Sequence, residues 1–277
     1  MSITLQAKDE IKIPSTANYI AQGSGSPVIM IHGIAASLHD WDDFFPDLIQ
    51  CGYAGYALDL LGHGDSPKPD SREYHIDWLV DHFTGWMDSL YLNGPAVLVG
   101  HSLGGYIALE FAYRFPERVR SLILADPFYS RDQFPPILRL AYRQPLIGGW
   151  IAARTPEWMF RSIIDMTSVS LGHSIGSLHA LPESVRAQTA LDYTRTAPGV
   201  YHLPNTIQDL TEILPSISVP ALVIWGERDQ TLAPSSFMKL VAMLPNAKAE
   251  SIKAGHVPHQ SNSEWFNGVA LNFLRDL

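Results

Sequence analysis

Cysteine is almost missing: Cys51 stands alone in 277 residues, so no disulfide can close within the chain and an oxidising compartment is not required. A metal cage built from clustered cysteines is excluded for the same reason. Cations are scarce as well, 19 Lys and Arg against 28 Asp and Glu for a net charge of −9. A phosphate-binding face needs clustered Lys and Arg, so nucleic acid is not an expected partner. No apolar run approaches the roughly 20 residues of a membrane span, and residues 1–10 lack the basic segment and apolar core of a secretory signal. Stable membrane insertion is therefore not expected, and a cytoplasmic location is the default. Internal repeats and low-complexity tracts are also missing.

What remains is a chain with 46% hydrophobic and 17% charged residues, a globular composition leaning apolar and long enough to bury a large core. Short apolar runs over 27–31, 53–60, 96–99 and 121–124 alternate with helical patterns over 41–49, 74–92 and 105–115. That alternation is the mark of an α/β fold, a mostly parallel sheet flanked by helices. The rhythm resumes with strands over 221–225 and 249–252 and helices over 234–244 and 264–274. Cys51 reads as a small residue tucked near the start of a strand. Residues 127–210 break the rhythm with aromatic and aliphatic segments interrupted by Pro and Gly. Such a segment must bury apolar surface, against its own small core or over a ligand. The expected layout is a core of 1–126 and 211–277 with a helical cap of 127–210.

The most telling stretch is Gly100-His101-Ser102-Leu103-Gly104, which lies between a buried strand and a helix. A Gly-x-Ser-x-Gly there forms a strained turn that pushes the Ser102 hydroxyl out of the sheet. The flanking glycines are needed because a Cβ at either position would strike the neighbouring strand or helix. An activated serine also needs a base and a carboxylate to orient it. Asp229 follows the strand over 221–225 and His256 follows the strand over 249–252. The carboxyl ends of parallel strands share one edge, so Ser102, Asp229 and His256 can converge. Glu227 and Asp126 compete as the acid, and His259 competes as the base; His256 is preferred because it follows Gly255. An oxyanion hole needs two amides, and Leu103 after the serine and Ile34 in the His32-Gly33-Ile34 loop are placed to supply them.

Together with the Gly62-His63-Gly64-Asp65-Ser66 loop, these motifs give the chain a full-length resemblance to the α/β-hydrolase family. The resemblance implies an eight-stranded sheet, a helical cap after the sixth strand, a structural role for His63 and Asp65, and a His101 side chain pointing away from the reaction. It also implies a serine hydrolase acting through an acyl-enzyme on a small to medium hydrophobic carboxylic ester, thioester or lactone, with no cofactor and no metal. A histidine-based zinc site is not expected, because His256 and His259 lie in a Pro-containing loop and not in a His-Glu-x-x-His helix. A ligand receptor with little turnover and a carbon–carbon bond hydrolase are the alternatives. Trp150 and Trp158 are the candidate substrate-lining residues of the cap.

Overall fold

Apolar residues occupy both faces of the central strands. Val28, Met30, Val97, Val99, Ile123 and Ile224 join one buried cluster, while Ile29, Ile31, Leu98, Leu122, Leu124 and Val223 join another. A strand apolar on both sides is stable only when helices cover both. That is the architecture of the computed structural model, which describes residues 13–136, 139, 151, 154–162 and 181–277.

Its strands are β1 (Tyr19–Gln22), β2 (Pro27–Ile31), β3 (Ala54–Leu58), β4 (Ala96–His101), β5 (Val119–Ala125), β6 (Ala221–Gly226) and β7 (Ala247–Ile252). They form one sheet in the order β1-β3-β2-β4-β5-β6-β7. Only β1 runs antiparallel, pairing Tyr19 with Leu58 and Gln22 with Gly55. The main helices are α1 (Phe45–Gln50), α2 (Ile76–Ser89), α3 (Leu103–Arg114), α4 (Glu183–Arg195), α5 (Pro234–Met243) and α6 (Ser263–Arg275). Phe83 and Trp86 of α2, Ile107 and Phe111 of α3 and Phe237 of α5 cover one face. Phe45 and Leu48 of α1, with Phe266 and Ala270 of α6, cover the other.

The described residues hold seven strands where the resemblance implies eight, so residues 127–210 follow the fifth of them. The sequence reading also passes over β1. Three of its four residues are exposed, leaving no buried run or period for a pattern to register. Cys51 is exposed at the end of α1 and not tucked beside β3. Its strand begins three residues later, and the turn between them faces solvent. No helix among the described residues is long and apolar enough to cross a membrane.

Residues 192–197 are tied to the loops beside the strand ends. Arg195 pairs with Asp65, Ala197 N–H donates to the Gly62 carbonyl at 2.8 Å, and Ser37 Oγ–H donates to Asp192 of α4 at 2.9 Å. The 62–66 loop is in turn held by Asp59, which accepts the Asp65 N–H at 2.8 Å. His63 is buried against the His32 ring at 5.0 Å between centroids. Burial drives the His63 pKa down to about 3, leaving it an uncharged packing group.

Candidate active site

Ser102 sits at the junction of β4 and α3 with φ 49° and ψ −110°, a region a non-glycine residue occupies only when its surroundings impose it. A Cβ at Gly104 would lie 2.1 Å from the Ile31 carbonyl oxygen, and one at Gly100 would lie 2.5 Å from that of Gly104. Both glycines therefore let β2, β4 and α3 close on one another. The turn is locked by backbone hydrogen bonds: Ser102 N–H donates to Ala125, and Tyr106 and Phe128 N–H donate to Ser102, all between 3.0 and 3.2 Å.

The loops after β6 and β7 bring their side chains to this turn. Ser102 Oγ lies 3.0 Å from His256 Nε2, and His256 Nδ1 lies 2.7 Å from Asp229 Oδ2. The other Asp229 oxygen accepts the N–H groups of Thr231 and Leu232 at 2.7 and 3.0 Å. That leaves Oδ2 for the imidazole and fixes the tautomer whose Nε2 lone pair meets the serine hydroxyl. Burial would push the Asp229 pKa up, but His256 and these donors bring it below the ordinary carboxylate value.

The competing groups lie elsewhere. Glu227 is exposed and accepts from Ser251 Oγ at 3.1 Å. His259 is 1% exposed and packs against Trp41 and His101, at 4.9 and 4.4 Å between ring centroids. It stays uncharged, because burial and then His101 hold its pKa well below the usual value. Asp126 is fully buried behind Asp229 and accepts the Gly226 N–H at 3.0 Å. Burial first, and then the Asp229 charge, raise its pKa well above the carboxylate range.

A cavity of about 220 Å³ opens onto Ser102 and His256. Ile34 and Leu103 both line it, as do Phe128, Phe134, Ile207, Leu232 and Val257. Tyr193 and Thr189 of α4 close its far side. Trp158 is 68% exposed and is not among the described lining residues. Two positions on, about 200° round a helix, Phe160 packs tilted against Tyr193 at 5.1 Å between ring centroids, so Trp158 faces the opposite way. Trp150 lies outside the described residues.

Two groups of described residues bring three metal-capable atoms within 4.8 Å of one another: Asp40, His101 and His259, and Asp126, Asp229 and His256. In each group the nearest atoms already face one another at hydrogen-bond distance, 3.2 Å for Asp40 with His101 and 2.7 Å for Asp229 with His256. Each group thus holds a hydrogen-bonded carboxylate–imidazole pair, with His259 packed against the first and Asp126 behind the second. Asp40 carries no motif signal, since its partners are Gly33, His101 and Gln260, the last 220 residues away.

A family model described as the alpha/beta hydrolase fold matches residues 26–262. The chain belongs to the α/β-hydrolase fold family. It is 29% identical over 263 residues to a pimeloyl-[acyl-carrier protein] methyl ester esterase of Neisseria meningitidis serogroup C, covering 89% of this chain and 93% of that one. It is 28% identical over 273 residues to a 2-hydroxy-6-oxononadienedioate/2-hydroxy-6-oxononatrienedioate hydrolase of Burkholderia vietnamiensis, covering 93% and 90%. In structure it is similar to a thermophilic esterase from Thermogutta terrifontis, with a TM-score of 0.77 at 23% identity over 94% of this chain and 93% of that one. At that identity the likeness speaks for the fold.

Proposed function

We propose that this α/β-hydrolase is a serine hydrolase that cleaves a small to medium hydrophobic carboxylic ester, thioester or lactone through an acyl-enzyme. The observation that carries the reading is the continuous relay Asp229–His256–Ser102, at 2.7 and 3.0 Å, opening onto an apolar cavity. Ser102 Oγ attacks the carbonyl carbon while His256 takes its proton. The tetrahedral oxyanion is held by the amides of Ile34 and Leu103, the latter at the N-terminus of α3. His256 then protonates the leaving alcohol or thiol, and Asp229 stabilises the imidazolium while it exists. Water repeats the sequence in reverse and frees the acid. Residues 127–210 serve as the cap, with α4 as its described wall over the cavity.

The relatives include a methyl ester esterase and a 2-hydroxy-6-oxononadienedioate/2-hydroxy-6-oxononatrienedioate hydrolase. The substrate named for the latter is a dicarboxylate, and no Lys or Arg stands among the described residues lining this cavity. An uncharged acyl group fits that lining better. The test is turnover of p-nitrophenyl esters together with labelling by a fluorophosphonate. Ser102→Ala should fold normally, take no label and lose at least about 10⁴-fold in kcat. Substantial turnover in that variant would remove the serine mechanism. Stoichiometric labelling of the parent protein without turnover of any ester would favour a receptor.

A further inference from the structure

Asp40 and His101 are largely buried beside this relay, at the wall of the same cavity, and take no part in the chemistry just described. Asp40 belongs to the helical turn Leu38–Trp41 that follows the Gly33 loop, and His101 is the last residue of β4. His101 Nδ1 faces Asp40 Oδ2 at 3.2 Å, and its Nε2 faces the backbone carbonyl oxygen of His256 at 3.0 Å. A carbonyl only accepts, so Nε2 must carry a hydrogen. Asp40 meets donors on its other sides, the Gly33 N–H at 3.2 Å and the Gln260 side-chain amide at 3.2 Å. Its carboxylate is thus an acceptor throughout, and the hydrogen between it and His101 sits on Nδ1.

His32 shows the contrast. Its Nδ1–H donates to the Gly33 carbonyl at 2.7 Å while its Nε2 accepts the Leu60 N–H at 2.9 Å. One ring hydrogen satisfies His32, whereas His101 needs two.

We propose that Asp40 and His101 form a second carboxylate–imidazole pair, with hydrogen on both ring nitrogens, that positions the Gly33 and His256 loops around Ser102. The proposal rests on the serine-hydrolase reading for its catalytic consequence. The pair ties together the ends of β2, β4 and β7. His101 holds the backbone of the base while its own peptide leads into Ser102, and Asp40 holds the loop that presents Ile34. Gly33 has no room for a side chain here, because a Cβ would lie 2.7 Å from His101 Nδ1. The other ionisable groups facing the pair are His32, His256 and His259, with ring centroids of the last two 5.1 and 4.4 Å from that of His101, and, from α4, Asp192 and Tyr193 within electrostatic reach of Asp40. Burial keeps His32 and His259 uncharged. Burial would also raise the Asp40 carboxyl, but the hydrogen bond to His101 and the charge of that ring hold it well below the carboxylate range.

Two measurements test this. Spectra of the ¹⁵N-labelled, unmodified protein at neutral pH should show two N–H protons on the His101 ring; a single one overturns the proposal. Asp40→Asn cannot satisfy all the present donors, so kcat per fluorophosphonate-titrated serine should fall about 10- to 100-fold with KM changed less than about threefold. An unchanged kcat in the folded variant also overturns it. Should the variant fail to fold, the spectra of the unmodified protein still decide. They involve no substrate, so their outcome stands apart from that of Ser102→Ala.

Discussion

Asp126 and Asp229 are buried side by side, yet their surroundings load them oppositely. Asp229 faces an imidazole and two N–H donors, whereas Asp126 has burial and a neighbouring negative charge against its ionisation. Asparagine is close in shape and charge to a protonated aspartate, so Asp126→Asn should leave kcat/KM within about threefold. Asp229→Asn presents the wrong partner to His256 and should cost on the order of 10⁴ in kcat. Equal losses from the two, measured on a reactive ester, would show that the acid is shared. The histidines separate in the same way. His256→Ala should abolish turnover, while His259→Phe, which replaces a ring with no hydrogen-bond partner in a packed interior, should change kcat by no more than about threefold. The reverse ranking would move the base to His259.

At the scale of elements, the contact to watch is that of α4 with the turn that follows the Gly33 loop. Asp192 accepts from Ser37 Oγ and from Gln188 Nε2, each at 2.9 Å. Burial outweighs these two bonds and raises the Asp192 carboxyl to about 7 from an ordinary 3.8. The unfolded chain therefore releases this proton near pH 4 and the folded chain only near pH 7. Between those values the folded state binds more protons, so stability falls as pH rises, and the loss is complete above about pH 7. Asp192→Asn keeps a partner for Ser37 without the charge. Its melting temperature should match that of the parent at about pH 4 and exceed it by a few degrees at pH 8. A difference that does not vary with pH would mean that Asp192 is ionised at no cost.

For the whole molecule, the proposed ester chemistry predicts that the cavity between the sheet edge and α4 sets the acyl preference. Each buried methylene contributes about 0.8 kcal/mol at best, so kcat/KM should rise up to about fourfold per carbon until the space is filled. Ile207 lines that space from the partly buried rim of the core. Ile207→Ala should move the optimum to a longer acyl chain. A flat profile from acetyl to octanoyl esters would point to a small polar substrate instead. The absence of Lys and Arg from the described lining also implies that a terminal carboxylate on the acyl chain lowers kcat/KM.

The fold class and the elbow were legible because their signals are local. Paired apolar faces mark buried parallel strands, and the strain at Ser102 is written in five consecutive residues. Asp229 and His256 were nominated over Glu227 and His259 because strand ends share an edge and His256 follows Gly255, but where the rivals lie needed coordinates. One turn directs Glu227 to solvent and Ser251, and the helical turn Pro258–Ser261 carries His259 into the core. The outward face of Trp158 was hidden for a related reason, since the amphipathic side of so short a helical segment is set by what packs against it. Asp40 left no trace at all. Its hydrogen bonds span 7, 61 and 220 residues, and a contact of that kind exists only once the sheet has brought the ends of β2, β4 and β7 together. By itself the sequence determined the periodicities and the strained turn, which depend on near neighbours. The tertiary structure decided which polar groups share a proton, because that depends on distance and burial.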